Sequence, residues 1–341
     1  MPNMRQLAQL AGVSTWTVSK ALRDSPEVSA ETRRRIQELA ARHHYSPYRM
    51  PPPTTDCEGT IGILFPFYEY PICVRTLNGI ITTLHPGTYR SAIYASEAEM
   101  ARIQMLLHTL VEHQVSGIIL YTGSSVPVPT EVLFGLRSRA IPLVCIDITH
   151  FTVSTDIVRT DDAQAAELIA AHLCNQGHRT VVIMRSRDMP HDLQREEALL
   201  AAFSRRGLPL VSTPKVRQTG VSFAYEHDEL HGIVTRCGTP VAIIAREDHS
   251  AAAMLRQARL LQLDIPDAVS IVGYGNLLIT DCLHPGLTTL EQDPEEIGRQ
   301  AVALLLRRIS EQRQGVPWEA ETVYVPARLL ERGSTGVPRR R

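Results

Sequence analysis

Residues 14–20 read S-T-W-T-V-S-K, which places four hydroxyls, an indole and a lysine within seven positions. Hydroxyls and basic side chains donate to phosphate oxygens, and a lysine reaching a major groove can also donate to guanine O6 and N7. An indole can press on a thymine methyl or a sugar edge. Lys20 is one of only two lysines in a chain that otherwise uses arginine. The chemistry this stretch offers is that of a nucleic-acid reader, with a plain helical hairpin as the other reading.

The flanking residues must hold that stretch as a helix. In 4–11, Leu7, Leu10 and Ala11 recur at helical spacing, and Ala8 is small enough to admit a second helix closely. Gly12 permits a sharp turn, Val13 can plug the angle between helices, and Ser14 suits the N-cap of the second helix. Val18, Ala21 and Leu22 then face inward, which leaves Thr15, Trp16, Ser19 and Lys20 outside. A third helix starts at Ser29 and turns Ile36, Leu39 and Ala40 inward. Three helices in so short a span predict a helix-turn-helix domain whose second helix lies in the major groove.

Charge fits that division. Residues 1–50 hold eight basic against four acidic side chains, while the 341-residue chain as a whole carries a net −1. A basic head on an acidic body binds phosphate without adhering to its own body. No apolar run is long enough to span a membrane and no leader pattern opens the chain, so a cytoplasmic protein is expected. The six scattered cysteines fit a reducing compartment. His172, Cys174 and His178 lie close together, but a four-ligand metal site lacks its other partners. The marks of hydrolases, nucleotide loops and dinucleotide folds are missing, so no metal, cofactor or catalytic activity is expected.

Residues 49–59 break the pattern with three prolines, then polar residues and Gly59, and read as a stiff linker. Beyond it, near-continuous apolar runs at 60–65, 91–94, 116–121, 142–148, 180–185, 241–245 and 269–274 alternate with amphipathic helical stretches. Such alternation predicts parallel sheets buried on both faces, arranged as two doubly wound lobes. Ligands in such lobes sit beyond the carboxyl ends of the strands. We read a head at 1–48, a joint at 49–59, a two-lobed body at 60–333 and a disordered basic tail at 334–341.

The stretch from Met4 to Pro47 resembles the head of the lac repressor (LacI/GalR) transcription factors. The A-G-V-S-x-x-T-V-S core, the V-S-x-x-T-R start of the third helix and the closing Y-x-P stand at family spacing. The resemblance implies base reading by Thr15, Trp16 and Lys20, and phosphate contacts by Ser14, Thr17, Ser19, Arg23 and Thr32, with Arg33 or Arg35. It also implies a body with the type I periplasmic-binding-protein fold, which serves as sensor and dimerisation domain. The expected protein is a repressor that binds a pseudo-palindromic DNA operator as a homodimer, under control of a small polar effector such as a sugar. A small-molecule-binding module with a weak DNA head is the alternative.

For the effector cleft, Arg195 matches the family arginine that holds a sugar hydroxyl or carboxylate, and Asp161 a family carboxylate near the ligand. Glu247 stands where asparagine is usual, while Tyr70, Ile72 and Phe223 are expected to supply walls. Glu247 and Asp248 also suit a helix N-terminus, where acids oppose the dipole. Gly275 and Asn276 replace two aspartates, the first of them normally a ligand contact, which weakens the case for an ordinary hexose. The joint departs as well: Tyr48 replaces an asparagine, Pro51–Pro53 occupy the short hinge helix, and Thr54 stands at its minor-groove leucine, with Met50 the nearest apolar candidate. If the prolines act as a strut, a Gly/Ser segment in place of Pro51, Pro52 and Pro53 weakens effector–DNA coupling more than effector binding; titrating DNA with and without effector reads both.

Overall fold

A computed structural model describes residues 4–22, 25–43, 45, 58–66, 71–84, 88–97, 99–121, 130–147, 154–184, 190–212 and 229–339. The chain divides into two compact units, Met1–Asp56 and Cys57–Arg341. The proline joint, with Met50 and Thr54, lies outside the described residues, as do Arg23, Tyr70 and Phe223.

The first unit holds α1 (Met4–Ala11), α2 (Thr15–Leu22) and α3 (Ala30–Arg42). Between the first two, Gly12 adopts φ +64°, a left-handed turn that a side chain would strain. Ser14 Oγ accepts from the Thr17 amide at 3.1 Å, and Ser29 Oγ from the Thr32 amide at 3.3 Å, so each hydroxyl satisfies an orphan donor at a helix start. The core is Leu7, Ala8, Ala11, Val18, Ala21, Val28, Ile36 and Ala40. Its alanines let the helices approach closely. Leu10, expected inside, is 55% exposed, and Ala8 takes the inward position.

The second unit is two lobes. The first contains β1 (Gly59–Phe65), α4 (Pro71–Leu84), β2 (Tyr89–Ala95), α5 (Met100–Glu112), β3 (Gly117–Tyr121), α6 (Thr130–Ser138), β4 (Leu143–Ile146) and β5 (Asp156–Thr160). The chain then crosses into the second lobe, through α7 (Asp162–Asn175), β6 (Val181–Ile183), α8 (Pro190–Arg205), β7 (Leu210–Ser212) and α9 (Glu229–Cys237). That lobe continues with β8 (Val241–Ile244), α10 (Asp248–Leu260), β9 (Val269–Tyr274), α11 (Ile279–Cys282) and β10 (Thr288–Glu291). A return crossing places α12 (Pro294–Arg313) and β11 (Thr322–Val325) in the first lobe, and a third puts β12 (Arg328–Leu330) in the second.

The sheets run β11-β5-β4-β3-β1-β2 and β12-β10-β9-β8-β6-β7. Every pairing is parallel except that of β10 with β12, as β-α-β crossovers require. The central strands are apolar on both faces because helices cover both: β3, β4, β8 and β9 are buried throughout. β5 is less apolar but is fixed by charge. The buried Arg308 of α12 donates Nε and Nη2 to the two Asp156 carboxylate oxygens, each at 2.9 Å, and Asp156 also accepts the Glu321 amide at 2.9 Å. A buried pair of this kind holds only because its remaining hydrogen-bonding capacity is also met.

The tail differs from expectation at its start. Ser334 and Thr335 are buried, with Ser334 Oγ donating to the Ile271 carbonyl at 2.6 Å and accepting the Thr288 amide at 2.8 Å. Thr335 Oγ1 lies 2.8 Å from both His172 Nε2 and Thr288 Oγ1, and the Arg339 amide donates to the Asp267 carbonyl at 3.1 Å. The composition is polar and Gly/Pro-rich, yet its two hydroxyls complete hydrogen bonds to β9, β10 and His172. This also accounts for the His172–Cys174–His178 trio. Burial holds both imidazoles below their usual range, His178 down to about 4, and His172 packs against Thr335 of the tail. No group of three potential metal ligands occurs among the described residues.

Two glycines bring α4 and α12 into backbone contact. A Cβ on Gly79 would lie 2.2 Å from the Glu295 carbonyl oxygen, and one on Gly298 would lie 2.3 Å from that of Thr76. Backbone cannot yield as a side-chain tip does. Gly298→Ala is therefore expected to destabilise the body by about 1–3 kcal/mol, read as a lower urea midpoint with an unchanged slope.

Candidate functional site

In the head, α2 presents the surface that the sequence implies. Trp16 is 57% exposed and Thr15 is exposed beside it. Val18 and Ala21 anchor the opposite face in the core. Lys20 lies 5.6 Å from the Trp16 ring centroid, and its Nζ reaches the two Glu27 carboxylate oxygens at 2.9 and 3.1 Å. Ser14 and Thr17 pair through their hydroxyls at 2.9 Å, and Ser29 donates to Thr32 Oγ1 at 2.8 Å. These exposed pairs flank the starts of α2 and α3, where amide donors and hydroxyls together can meet phosphate. Ser19 is half-buried.

Of the arginines expected at phosphate, Arg33 and Arg35 hold backbone carbonyls of the head. Arg33 Nη2 donates to the Ser25 and Val28 carbonyls at 3.0 and 3.1 Å, fixing the loop before α3. Arg35 Nη2 donates to the Ala11 carbonyl at 2.8 Å, at the C-terminal end of α1.

In the body, Arg195 of α8 is the centre of a charged cluster. Its guanidinium carbon sits 3.6 Å from the Tyr274 ring centroid, and Nη1 donates to the Arg246 carbonyl at 3.3 Å. Its Nε lies 3.9 Å from Asp162 Oδ1. Asp162 also accepts Arg159 Nη2 at 2.6 Å and the Tyr274 hydroxyl at 3.4 Å. Asp147, just past β4, accepts the Thr160 amide at 3.4 Å. Desolvation, reinforced by Asp162, pushes its carboxyl up to about 6 despite Arg159 and Arg195 nearby. Burial likewise raises Tyr274 above its ordinary range. Planar guanidinium, phenolic hydroxyl and carboxylates around one point suit a small, hydroxyl-bearing polar ligand.

Other expected cleft residues lie elsewhere in the hydrogen-bond network. Asp161 caps α7, accepting the Gln164 amide at 2.9 Å, and its neighbour Asp162 is the one that meets Arg195. Glu247 caps α10, with its amide donating to Ser250 Oγ at 3.2 Å and its carboxylate held by Arg246 at 2.7 Å. Asp248 is fully buried, accepting the Leu277 amide at 2.7 Å and the Thr289 hydroxyl at 2.5 Å. Gly275 donates its amide to the Leu290 carbonyl at 2.7 Å. Asn276 donates Nδ2 to Glu291 Oε1 at 3.2 Å and accepts Arg332 Nη2 at 3.1 Å. An aspartate at 276 would set two carboxylates against each other; the amide donates instead. Ile72 is half-buried against the first-lobe core.

Sequence reasoning missed Asp147, Arg159, Asp162 and Tyr274. The signal available was positional, since each stands at or just beyond a strand's carboxyl end, where ligands of doubly wound sheets bind. Glu27 was missed as the partner of Lys20, because a loop intervenes and no periodicity links them.

A helix-turn-helix head on a two-lobed body of this topology defines the class: a DNA-binding transcription regulator with a sensor body. The family model for bacterial regulatory proteins of the lacI family matches residues 3–48, and that for a periplasmic binding protein-like domain matches 170–335. The ribose operon repressor of Escherichia coli (strain K12) is 24% identical over 337 residues, covering 98% of this chain and 100% of that protein. The HTH-type transcriptional repressor CytR of the same organism is 27% identical over 334 residues, covering 97% and 96%. Among solved structures, the lac repressor dimer bound to operator and the anti-inducer ONPF superposes with a TM-score of 0.70 at 19% identity, over 98% of this chain and 99% of that one. A LacI family regulator from Enterococcus faecium with bound ribose gives a TM-score of 0.64 at 24% identity, over 82% and 99%. The chain thus joins a lacI-family head to a periplasmic binding protein-like body, the arrangement that these repressors share.

Asp248 ties α10 to the turn after β9, so its role is structural. Asp248→Ala leaves two donors unsatisfied and is expected to destabilise the body by about 2–3 kcal/mol. Separate calorimetric or spectroscopic transitions of head and body check that the loss falls on the body alone.

Proposed function

We propose that the chain is a repressor that binds a pseudo-palindromic operator as a homodimer, with its affinity set by a small polar effector, a sugar or related metabolite, in the cleft around Arg195. The observation that carries this reading is the α2 face, where an exposed indole and a lysine stand on a helix anchored from behind. A recognition helix repeated by a two-fold axis reads two half-sites. The relatives support repression and dimeric binding, being repressors by name or a dimer on its operator, and one neighbour carries ribose.

Effector control arises from linkage: a ligand that favours one arrangement of the lobes changes DNA affinity by the same coupling energy. Arg195, Asp162, Asp147 and Tyr274 are the residues we assign to the effector, with Arg159 holding Asp162 in place. We take the head as 1–48 and the joint as 49–59. A regulator of bacterial DNA works in the cytoplasm, and no described helix is long and apolar enough to cross a membrane. The proline joint favours one rival, a small-molecule-binding module whose head engages DNA weakly.

Selection from a random DNA library, followed by salt titration of the winning duplex, decides between them. A palindrome whose affinity falls steeply with salt is expected. Lys20→Ala or Trp16→Ala should each weaken it by about 1–3 kcal/mol per half-site. Failure to enrich any motif with folded protein would put the rival first.

A further inference from the structure

Lys20 is the one lysine in the head, and it does not stand free. Both oxygens of Glu27 hold its Nζ, at 2.9 and 3.1 Å, while Trp16 lies alongside with its ring centroid at 5.6 Å. Glu27 stands on the loop between α2 and α3, and its side chain is 52% exposed. Arg33 braces that loop from behind through the Ser25 and Val28 carbonyls, and buried Val28 pins it to the core. The acid is therefore carried on a fixed support beside the reading helix.

We infer that Glu27 is a specificity-determining residue: it neutralises and orients Lys20, so that this lysine discriminates a base edge while contributing little to phosphate binding. The inference rests on the DNA-reading role proposed above for α2. An ammonium has three donors in a tetrahedral array, and two directed at Glu27 leave one to point along the helix face. A lysine without that partner would swing to the nearest phosphate, which binds every sequence alike. Glu27 thus works against unspecific duplex by withholding Lys20 from phosphate, and discrimination comes from what the pairing forbids as much as from what the lysine reaches.

The test compares Glu27→Gln and Glu27→Asp with the unaltered protein, on the selected operator and on a scrambled duplex of equal length. With Glu27→Gln, affinity for the scrambled duplex rises several-fold and its salt slope steepens by about 0.9 for each head, one added phosphate contact. The operator-to-scrambled ratio falls, and substitutions at the base pair read by Lys20 cost less. Glu27→Asp keeps the charge and retains most of the ratio. The same Glu27→Gln change in a Lys20→Met background leaves the slope unaltered, because the freed cation is gone. An unchanged ratio and slope in Glu27→Gln, or an equal steepening in the Lys20→Met background, overturns the inference. The first would show a spectator pair and the second a plain repulsion between acid and phosphate. Both outcomes are distinct from failure of the DNA-reading role itself, in which the unaltered protein shows no preference for any duplex.

Discussion

The side-chain amide of Gln164 clasps the backbone of Ala327 from both sides, accepting its amide at 2.9 Å and donating to its carbonyl at 3.0 Å. A few residues away, Gln292 Nε2 donates to Thr160 Oγ1 at 3.0 Å, and the Asp161 amide donates to the Val325 carbonyl at 2.9 Å. These bonds join the three places where the chain passes between the lobes. Sliding of one passage past another would break these bonds, whereas bending about the clasped region would keep them. Everything in the cleft hangs from that constraint. Asp162 comes directly after the first passage, and Glu291 stands at the mouth of the second. Arg75 of the first lobe bridges Glu291 and Glu295 at 3.3 and 2.8 Å, adding an electrostatic tie across the same boundary.

The charges of the body are arranged in compensating groups. Arg308 answers Asp156, Glu311 and Glu321, while Arg159 answers Asp162. Arg195 is held differently. It rests on the Tyr274 face and the Arg246 carbonyl, with the Asp162 carboxylate at the longer distance of 3.9 Å. Contact with a ring face restricts the orientation of a guanidinium and so the directions of its donors. The replacement of aspartate by Asn276 obeys the same logic from the other direction, since the amide is drawn into the Glu291 and Arg332 network.

Where the sequence was legible, the reason is physical. The head could be read because Gly12, Ser14 and Ser29 are local devices, each acting within a turn of its own position. Central strands such as 117–121 and 269–274 could be read because both faces are buried and nothing polar interrupts them. The strands missing from the periodic reading are β5, β7, β10, β11 and β12. They are short, lie toward the sheet edges, or carry charges whose partners are remote in sequence, as Asp156 carries one answered by Arg308. Arg195 was singled out through its family pattern, and it stands among Asp162, Tyr274 and the Arg246 carbonyl. Asp161 and Asp162 were not separable, because which of two adjacent acids caps the helix and which faces Arg195 depends on the first turn's geometry. The tail misled through composition: Ser334 and Thr335 look like solvated residues until β9 and β10, which meet their hydroxyls, are in place.

The first lobe borrows α12 and β11 from residues 294–325, beyond all of the second lobe except β12 and the tail. Ile297, Ala301, Val302 and Leu305 of α12 are part of the core that covers Ile119, Val144 and Ile146. On a ribosome these pieces arrive in order. The head, whose core spans residues 7–40, can close as soon as it clears the exit tunnel. The first lobe then waits, one side of its sheet covered by α4 but not yet by α12, while most of the second lobe is synthesised. Over that interval apolar strand surface stays exposed, the condition under which parallel sheets aggregate. The part that reads DNA is complete while the part that restrains it is still being made.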